Sequence, residues 1–262
     1  MHAILRLALG GAVIAGLSIG AAVVRAETLT VATEASFPPF SKTEADGSYT
    51  GFEIDLGNAV CERAGLTCKW VKQDFDGMIA ALLAEKFDFI FSSMSITPER
   101  AKVVDFSLAY YDTPSKFVAG RGMDLDVSPA GLSGKAVGVY GGSVQDEYLQ
   151  AKFPDVEIRG YGNVDQISAD LVAGRIELMF VEATAAEAFL ASDDGGKYAF
   201  IGPDYFDPLL GSGAGAMFRQ DEDALRERVN EAIRAVYADG TFDKLAAPYF
   251  DISVRADHHW KQ

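Results

Sequence analysis

"DFDGMIAALLAEKFDFIFSSMSITPER", Asp74 to Arg100, is where the fold can be read. Its first part, Asp76 to Lys86, spaces Met78, Ile79, Leu82 and Leu83 at helical intervals. Phe87 to Phe91 then forms a short run of β-forming residues. A helix feeding an apolar strand is the repeating unit of parallel sheets covered by helices. Beyond the strand stand Ser92, Ser93, Ser95 and Thr97, then Pro98 and Arg100. Binding sites of open α/β sheets gather beyond the carboxyl ends of the strands. Thr97 is an N-cap candidate with Pro98 at the first helical position, which predicts a helix start carrying Arg100. Free backbone N–H groups there favour an anion. A guanidinium fork matches a carboxylate. The alternative for Arg100 is a surface salt bridge with Glu99 or Asp105.

The same alternation continues in both directions. Leu29 to Thr33 reads as a strand, Asp55 to about Ala64 as a helix, and Lys69 to Gln73 as a strand. Further on come strand Lys135 to Tyr140, helix Ser143 to Lys152 and strand Val156 to Tyr161. A helix from about Asp165 to Ala173, strand Glu177 to Val181, a helix through Leu190 and strand Tyr198 to Ile201 complete the run. Two stretches read as seams: Thr113 to Pro129, with Gly120 and Gly122, and Asp204 to Gly215, with Pro208, Gly211 and Gly213. The segment between them has its own alternation. This predicts two lobes, one from residues 27–112 and 214–262 and one from 113–213, with crossings near 112–116 and 205–213. A single large sheet is the alternative architecture.

Residues 1–26 read as a secretory signal: Arg6 at the front, an apolar stretch from Leu7 to Val24, and small residues at Val24 and Ala26 around Arg25. An anchoring helix is the alternative; the Gly and Ala content and the small-residue exit favour cleavage. No later apolar run approaches the ~20 residues of a membrane span. Two of the 23 basic residues, Arg6 and Arg25, lie in the signal, leaving 21 against 38 acids, a net charge of −17. Such a surface disfavours nucleic acid. The two cysteines, Cys61 and Cys68, suggest a disulfide in an exported chain. They lack CxxC spacing and nearby His; His258 and His259 sit in a polar tail, and no metal site or cofactor is expected.

Five stretches carry a resemblance: "VATEASFPPF" (Val31–Phe40), "GFEIDLGNAVCERAGLTC" (Gly51–Cys68), the opening stretch, "VGVYGGSVQ" (Val137–Gln145) and "DGTFDKLAAPYF" (Asp239–Phe250). Together they resemble the periplasmic polar-amino-acid-binding proteins, within them the lysine/arginine/ornithine- and histidine-binding branch, over nearly the whole mature chain. The resemblance implies an α/β fold of two lobes with parallel-rich sheets and a hinge of two crossing segments. It also implies a periplasmic, monomeric protein that delivers an amino acid to an inner-membrane ABC importer, with Cys61 and Cys68 as the disulfide of that branch.

The resemblance assigns the candidate ligand residues. Arg100 takes the α-carboxylate, with Ser92, Ser93 and Ser95 supplying hydroxyl and backbone contacts. Gly141-Gly142 lets the backbone approach a ligand; beside it are Ser143, Val144, where relatives often carry Thr, and Gln145. Glu182, usually Asp in relatives, closes the strand "IELMFVE" and takes the ammonium. Its alternative is an acid at a helix start. Glu34, also commonly Asp, would face a distal ammonium or guanidinium. Phe37 and Phe75 would flank the ligand side chain, with core packing as the alternative. A basic amino acid or an arginine-derived opine is the expected ligand. A neutral polar amino acid, a periplasmic cyclohexadienyl dehydratase on the same fold, and a sensory module are the alternatives.

Overall fold

The computed structural model describes residues 27–123 and 125–261; the signal read over residues 1–26 lies outside them. The first half contains strands β1 (Glu27–Thr33), β2 (Ser36–Phe37), β3 (Ser41–Thr43) and β4 (Tyr49–Thr50), then helix α1 (Phe52–Arg63) and strand β5 (Leu66–Lys72). Helix α2 (Met78–Leu83) and strands β6 (Phe89–Ile90) and β7 (Asp105–Tyr111) follow. The middle contains β8 (Ser115–Gly120), β9 (Ala136–Tyr140), α3 (Val144–Lys152), β10 (Glu157–Tyr161), α4 (Val164–Val172), β11 (Leu178–Glu182), α5 (Ala183–Leu190) and β12 (Tyr198–Tyr205). The chain ends with β13 (Ala214–Phe218), α6 (Asp223–Ala238) and α7 (Thr241–Ala246).

Two five-stranded sheets result, ordered β5-β1-β6-β13-β7 and β10-β9-β11-β8-β12. The first takes its strands from both ends of the described chain, the second from the middle. Each sheet is half parallel: β1 pairs parallel with β5 and β6, and β9 with β10 and β11. The other half is antiparallel: β13 with β6 and β7, and β8 with β11 and β12. The antiparallel strands flank the crossings. The chain runs from β7 directly into β8 and returns from β12 into β13, with no covering helix to turn it parallel.

Both stretches read as seams contain strand. β8 lies inside the first and is fully inserted between β11 and β12, with Phe117, Val118 and Ala119 inaccessible to solvent. Its flanking Pro and Gly residues disguise it as loop. In the second, β12 runs on to Tyr205 and β13 begins at Ala214. The crossings themselves shrink to residues 112–114 and 206–213.

Helix α1 shows how sequence sets an element. Its buried face carries Phe52, Leu56, Val60 and Cys61, and burial of such side chains contributes roughly 1.5–3 kcal/mol each. Glu53 and Asp55 occupy its first turn and Arg63 its last, complementing the helix dipole. The Cys61–Cys68 disulfide ties its last turn to β5. Among the described residues, no helix is long and apolar enough to cross a membrane.

Candidate functional site

The carboxyl ends of β1, β6, β9 and β11 face a common cavity between the lobes. Its wall is formed by Glu34, Phe37, Phe75, Ser93, Ser95 and Arg100 from the first lobe. The second lobe adds Tyr140, Ser143, Val144, Gln145, Val164, Phe180, Val181 and Glu182. Ten of the eleven candidate ligand residues are therefore brought together. The eleventh, Ser92, is fully buried behind the wall, and its Oγ accepts the Glu34 N–H at 3.0 Å. It joins the end of β6 to the end of β1.

Arg100 is 8% exposed, so it is no surface residue. Glu99 pairs with Lys102 instead, and no carboxylate among the described residues pairs with Arg100. The α-helix expected at Thr97 is a three-residue 3₁₀ turn, Arg100–Lys102. So short a turn supplies no helix dipole, and the expected backbone anion site is absent. Thr97 nonetheless caps the turn: its Oγ1 accepts the Arg100 N–H at 3.2 Å. The guanidinium donates to Ser95 O at 3.1 Å and, across the cleft, to Gly142 O at 3.3 Å. Its carbon lies 6.0 Å from the Phe75 ring centre. Two carbonyls leave most of its five donors free for a ligand. Gly142 has φ +73°, a conformation that favours glycine and turns its carbonyl toward the cleft.

Ser93 is held from below. Its backbone has φ +51°, rare for a residue with a side chain. Glu53, on the first turn of α1, holds it there: Oε1 accepts the Ser93 N–H at 2.6 Å and Oε2 accepts the Ser93 hydroxyl at 2.9 Å. The Tyr110 hydroxyl donates to the same carboxyl at 2.5 Å. On the opposite lobe the Ser143 hydroxyl accepts the Asp146 N–H at 3.2 Å and caps α3. Gln145 Nε2 donates to Ser115 Oγ at 2.9 Å.

The acids are the electrically unusual part. Burial pushes Glu34 up to about 7, against the opposing pull of the Tyr140 and Ser36 hydroxyls and of Lys72, and pushes Glu182 up to about 8. The Tyr111 hydroxyl donates to Glu182 at 3.2 Å and pulls the other way. Burial likewise pushes Glu53 up to about 7. Desolvation also works against the charge on Arg100. The cavity thus offers one guanidinium and two carboxyls, each without a charged partner. Phe37 and Phe75 meet Tyr140 edge-on at 6.0 and 5.2 Å, closing an aromatic wall.

Tyr140, Val164, Phe180 and Val181 were not among the candidates. Tyr140 ends β9 just before Gly141-Gly142, and that position was the available signal. Val164, Phe180 and Val181 are apolar residues on regular elements, indistinguishable from core in sequence.

Two α/β lobes joined by two crossings, with polar strand ends converging on a cavity between them, are the architecture of a receptor for a small solute. The sequence profile of the bacterial extracellular solute-binding proteins, family 3, matches residues 29–252, and the chain belongs to that family. It is 41% identical over 228 residues to the L-arginine-binding protein of Pseudomonas aeruginosa, covering 86% of this chain and 88% of that one. It is 38% identical over 248 residues to the lysine/arginine/ornithine-binding periplasmic protein of Escherichia coli, covering 92% and 95%. The structure of an ancestral arginine-binding protein bound to arginine superposes with a TM-score of 0.79 at 32% identity, covering 86% of this chain and 99% of that one. The chain is a binding protein and not an enzyme, as are these relatives.

Proposed function

We propose that this protein captures an amino acid with a cationic side chain, arginine, ornithine or lysine, and delivers it to an inner-membrane ABC importer. The observation that carries the reading is the charge imbalance of the cavity: Glu34 and Glu182 against Arg100. The zwitterionic end of an amino acid balances Arg100 with its carboxylate and Glu182 with its ammonium. Glu34, which the Ser36 hydroxyl reaches at 3.3 Å, is then left without an ion pair, and ionising a buried carboxyl without one is expensive. A distal ammonium or guanidinium supplies the missing partner, with Phe37, Phe75 and Tyr140 lining the path of the alkyl chain. The names of the relatives, arginine- and lysine/arginine/ornithine-binding proteins, support the same choice.

In this reading residues 27–112 and 214–262 form one lobe and 113–213 the other, and the two crossings are the hinge on which they close. The protein acts as a monomer in the periplasm once residues 1–26 are removed.

A calorimetric panel of the twenty amino acids with ornithine, citrulline and octopine tests the reading. Arginine, ornithine or lysine should bind best and glutamate should be rejected. A neutral or acidic amino acid as the tightest ligand would overturn the charge argument.

A further inference from the structure

The polar tail that looked inert in sequence folds back on the hinge. His258 and His259 lie in the terminal 3₁₀ turn, Asp257–Lys261, and both face Asp112, the first residue of the crossing from β7 to β8. His258 Nε2 is 3.4 Å from Asp112 Oδ2, and His259 Nε2 is 2.8 Å from the same oxygen. The two imidazole rings lie side by side, centres 4.0 Å apart. One ligand atom from each residue falls within 4.8 Å of the other two.

We propose that Asp112, His258 and His259 form a site for a divalent first-row cation of the zinc type at the hinge. The donor set is right: two imidazoles and a carboxylate suit zinc, copper or nickel and disfavour magnesium or calcium. The spacing is right as well. Ligand atoms ~2.0–2.2 Å from a tetrahedral zinc stand roughly 3.3–3.6 Å from one another. The 3.4 Å pair already has that spacing, and a small ring rotation at His259 opens the shorter pair. His258 is mostly exposed while His259 and Asp112 are largely covered, so the cation has an entry side and a water can complete its shell.

The ligands are also held before any metal arrives. The Asp112 N–H donates to Val254 O at 3.0 Å, and the His259 N–H donates to Ala256 O at 3.0 Å. Trp260 Nε1 donates to Ala109 O at 2.9 Å, and its ring packs on Tyr237 with centres 4.7 Å apart. The tail is thereby fixed to the crossing on one side of the histidines and to β7 on the other, which lowers the cost of ordering three ligands. The neighbouring Arg255 is neutralised by Asp243 and Asp257. A bound cation would clamp the end of the chain to the hinge segment.

The full exported chain, purified without a polyhistidine tag, should be titrated with zinc chloride by calorimetry, with no amino acid present. One equivalent should bind. His258→Ala, Asp112→Asn and His259→Gln should each weaken it at least about tenfold, since even partners behind metal ligands are worth 10–100-fold. The His258→Ala/His259→Ala pair should abolish both zinc binding and the zinc-induced rise in melting temperature. His258 is exposed enough that His258→Ala leaves folding intact, so that variant decides the matter if His259 variants fold poorly. No saturable binding by the wild-type chain, or undiminished binding by His258→Ala, would overturn the proposal.

Discussion

At the scale of single residues, Arg100 is the sharpest test. Its guanidinium is buried, fixed by Ser95 O and Gly142 O, and has no carboxylate partner of its own. Replacing it with Ala removes one side of a desolvated charge pair, which costs about 2–5 kcal/mol of ligand affinity. Arg100→Lys should also lose affinity, because an ammonium cannot reproduce the fork. Calorimetry with arginine checks both, and unchanged affinity in Arg100→Ala would refute the clamp. Glu53 yields a prediction about stability. It accepts from the Ser93 N–H, the Ser93 hydroxyl and Tyr110, all buried. Glu53→Ala strands the Ser93 and Tyr110 hydroxyls, while the Ser93 N–H keeps the Tyr110 oxygen at 3.1 Å, and about 1–3 kcal/mol is lost for each group left without a partner. Urea unfolding should register a clearly lowered midpoint. The two residues also mark what sequence could reveal of the site. Arg100 was legible through the family resemblance; its local pattern alone left a surface salt bridge with Glu99 or Asp105 equally open. Glu53 was not, because an acid in the first turn of a helix is ordinary; its role depends on Tyr110, 57 residues away. Ser92 was read as a ligand contact, but the packing of two strand ends buries it and turns its hydroxyl toward the Glu34 backbone.

At the scale of elements, the helix-linked strands of both sheets and β12 were legible, whereas β7, β8 and β13 were not. A parallel pair needs a covering helix, and helix periodicity is the strongest local signal. β7, β8 and β13 have no such helix between them. β13 is further disguised by "GSGAG", Gly211 to Gly215, which reads as flexible linker. Gly215 is there for packing: a Cβ would stand 2.9 Å from Ile96 Cδ1. A glycine needed for close approach and a glycine needed for a turn look the same in sequence. The helix–strand unit of α1 and β5 supplies this scale's prediction. Cys61 and Cys68 bridge the C-terminal end of α1 to the start of β5, whereas the cleft faces the other end of the sheet. Replacing both cysteines with Ser should cost roughly 2–3 kcal/mol on the chain-entropy view. The urea midpoint should fall while arginine affinity stays at the wild-type value. A loss of affinity matching the loss of stability would mean that the bridge shapes the cleft.

At the scale of the whole molecule, the buried acids link pH, stability and closure. Glu34, Glu53 and Glu182 hold protons up to about 7, 7 and 8 when folded without ligand, against an ordinary 4.5. Between 4.5 and about 8 the folded chain therefore binds more protons than the unfolded chain, and stability falls as pH rises through that window. Surface acids such as Asp170, Glu227 and Asp257 are shifted the opposite way by their arginine partners. Their contribution is present above the ordinary carboxylate range and is lost as pH falls below it. The ligand-free protein should thus melt highest near pH 5 and lower at pH 8. A cationic ligand reverses the trend. Its ammonium and distal cation attract Glu182 and Glu34 only when these are ionised, so binding expels their protons. Affinity for arginine should rise from pH 5 to about 8 and level off above, and calorimetry in buffers of different ionisation enthalpy should detect proton release. Ligand at about 100 times its Kd adds roughly 2.7 kcal/mol, and each kcal/mol moves the melting temperature of a chain this size by about 2–4 °C. At pH 8 arginine should therefore raise the melting temperature by roughly 5–11 °C, and the same concentration should do less at pH 5. Arginine affinity that stayed flat between pH 5 and 9, with no proton exchange, would mean that both cleft acids are already ionised before the ligand arrives, and the closing force would have to come from Arg100 and the aromatic wall alone.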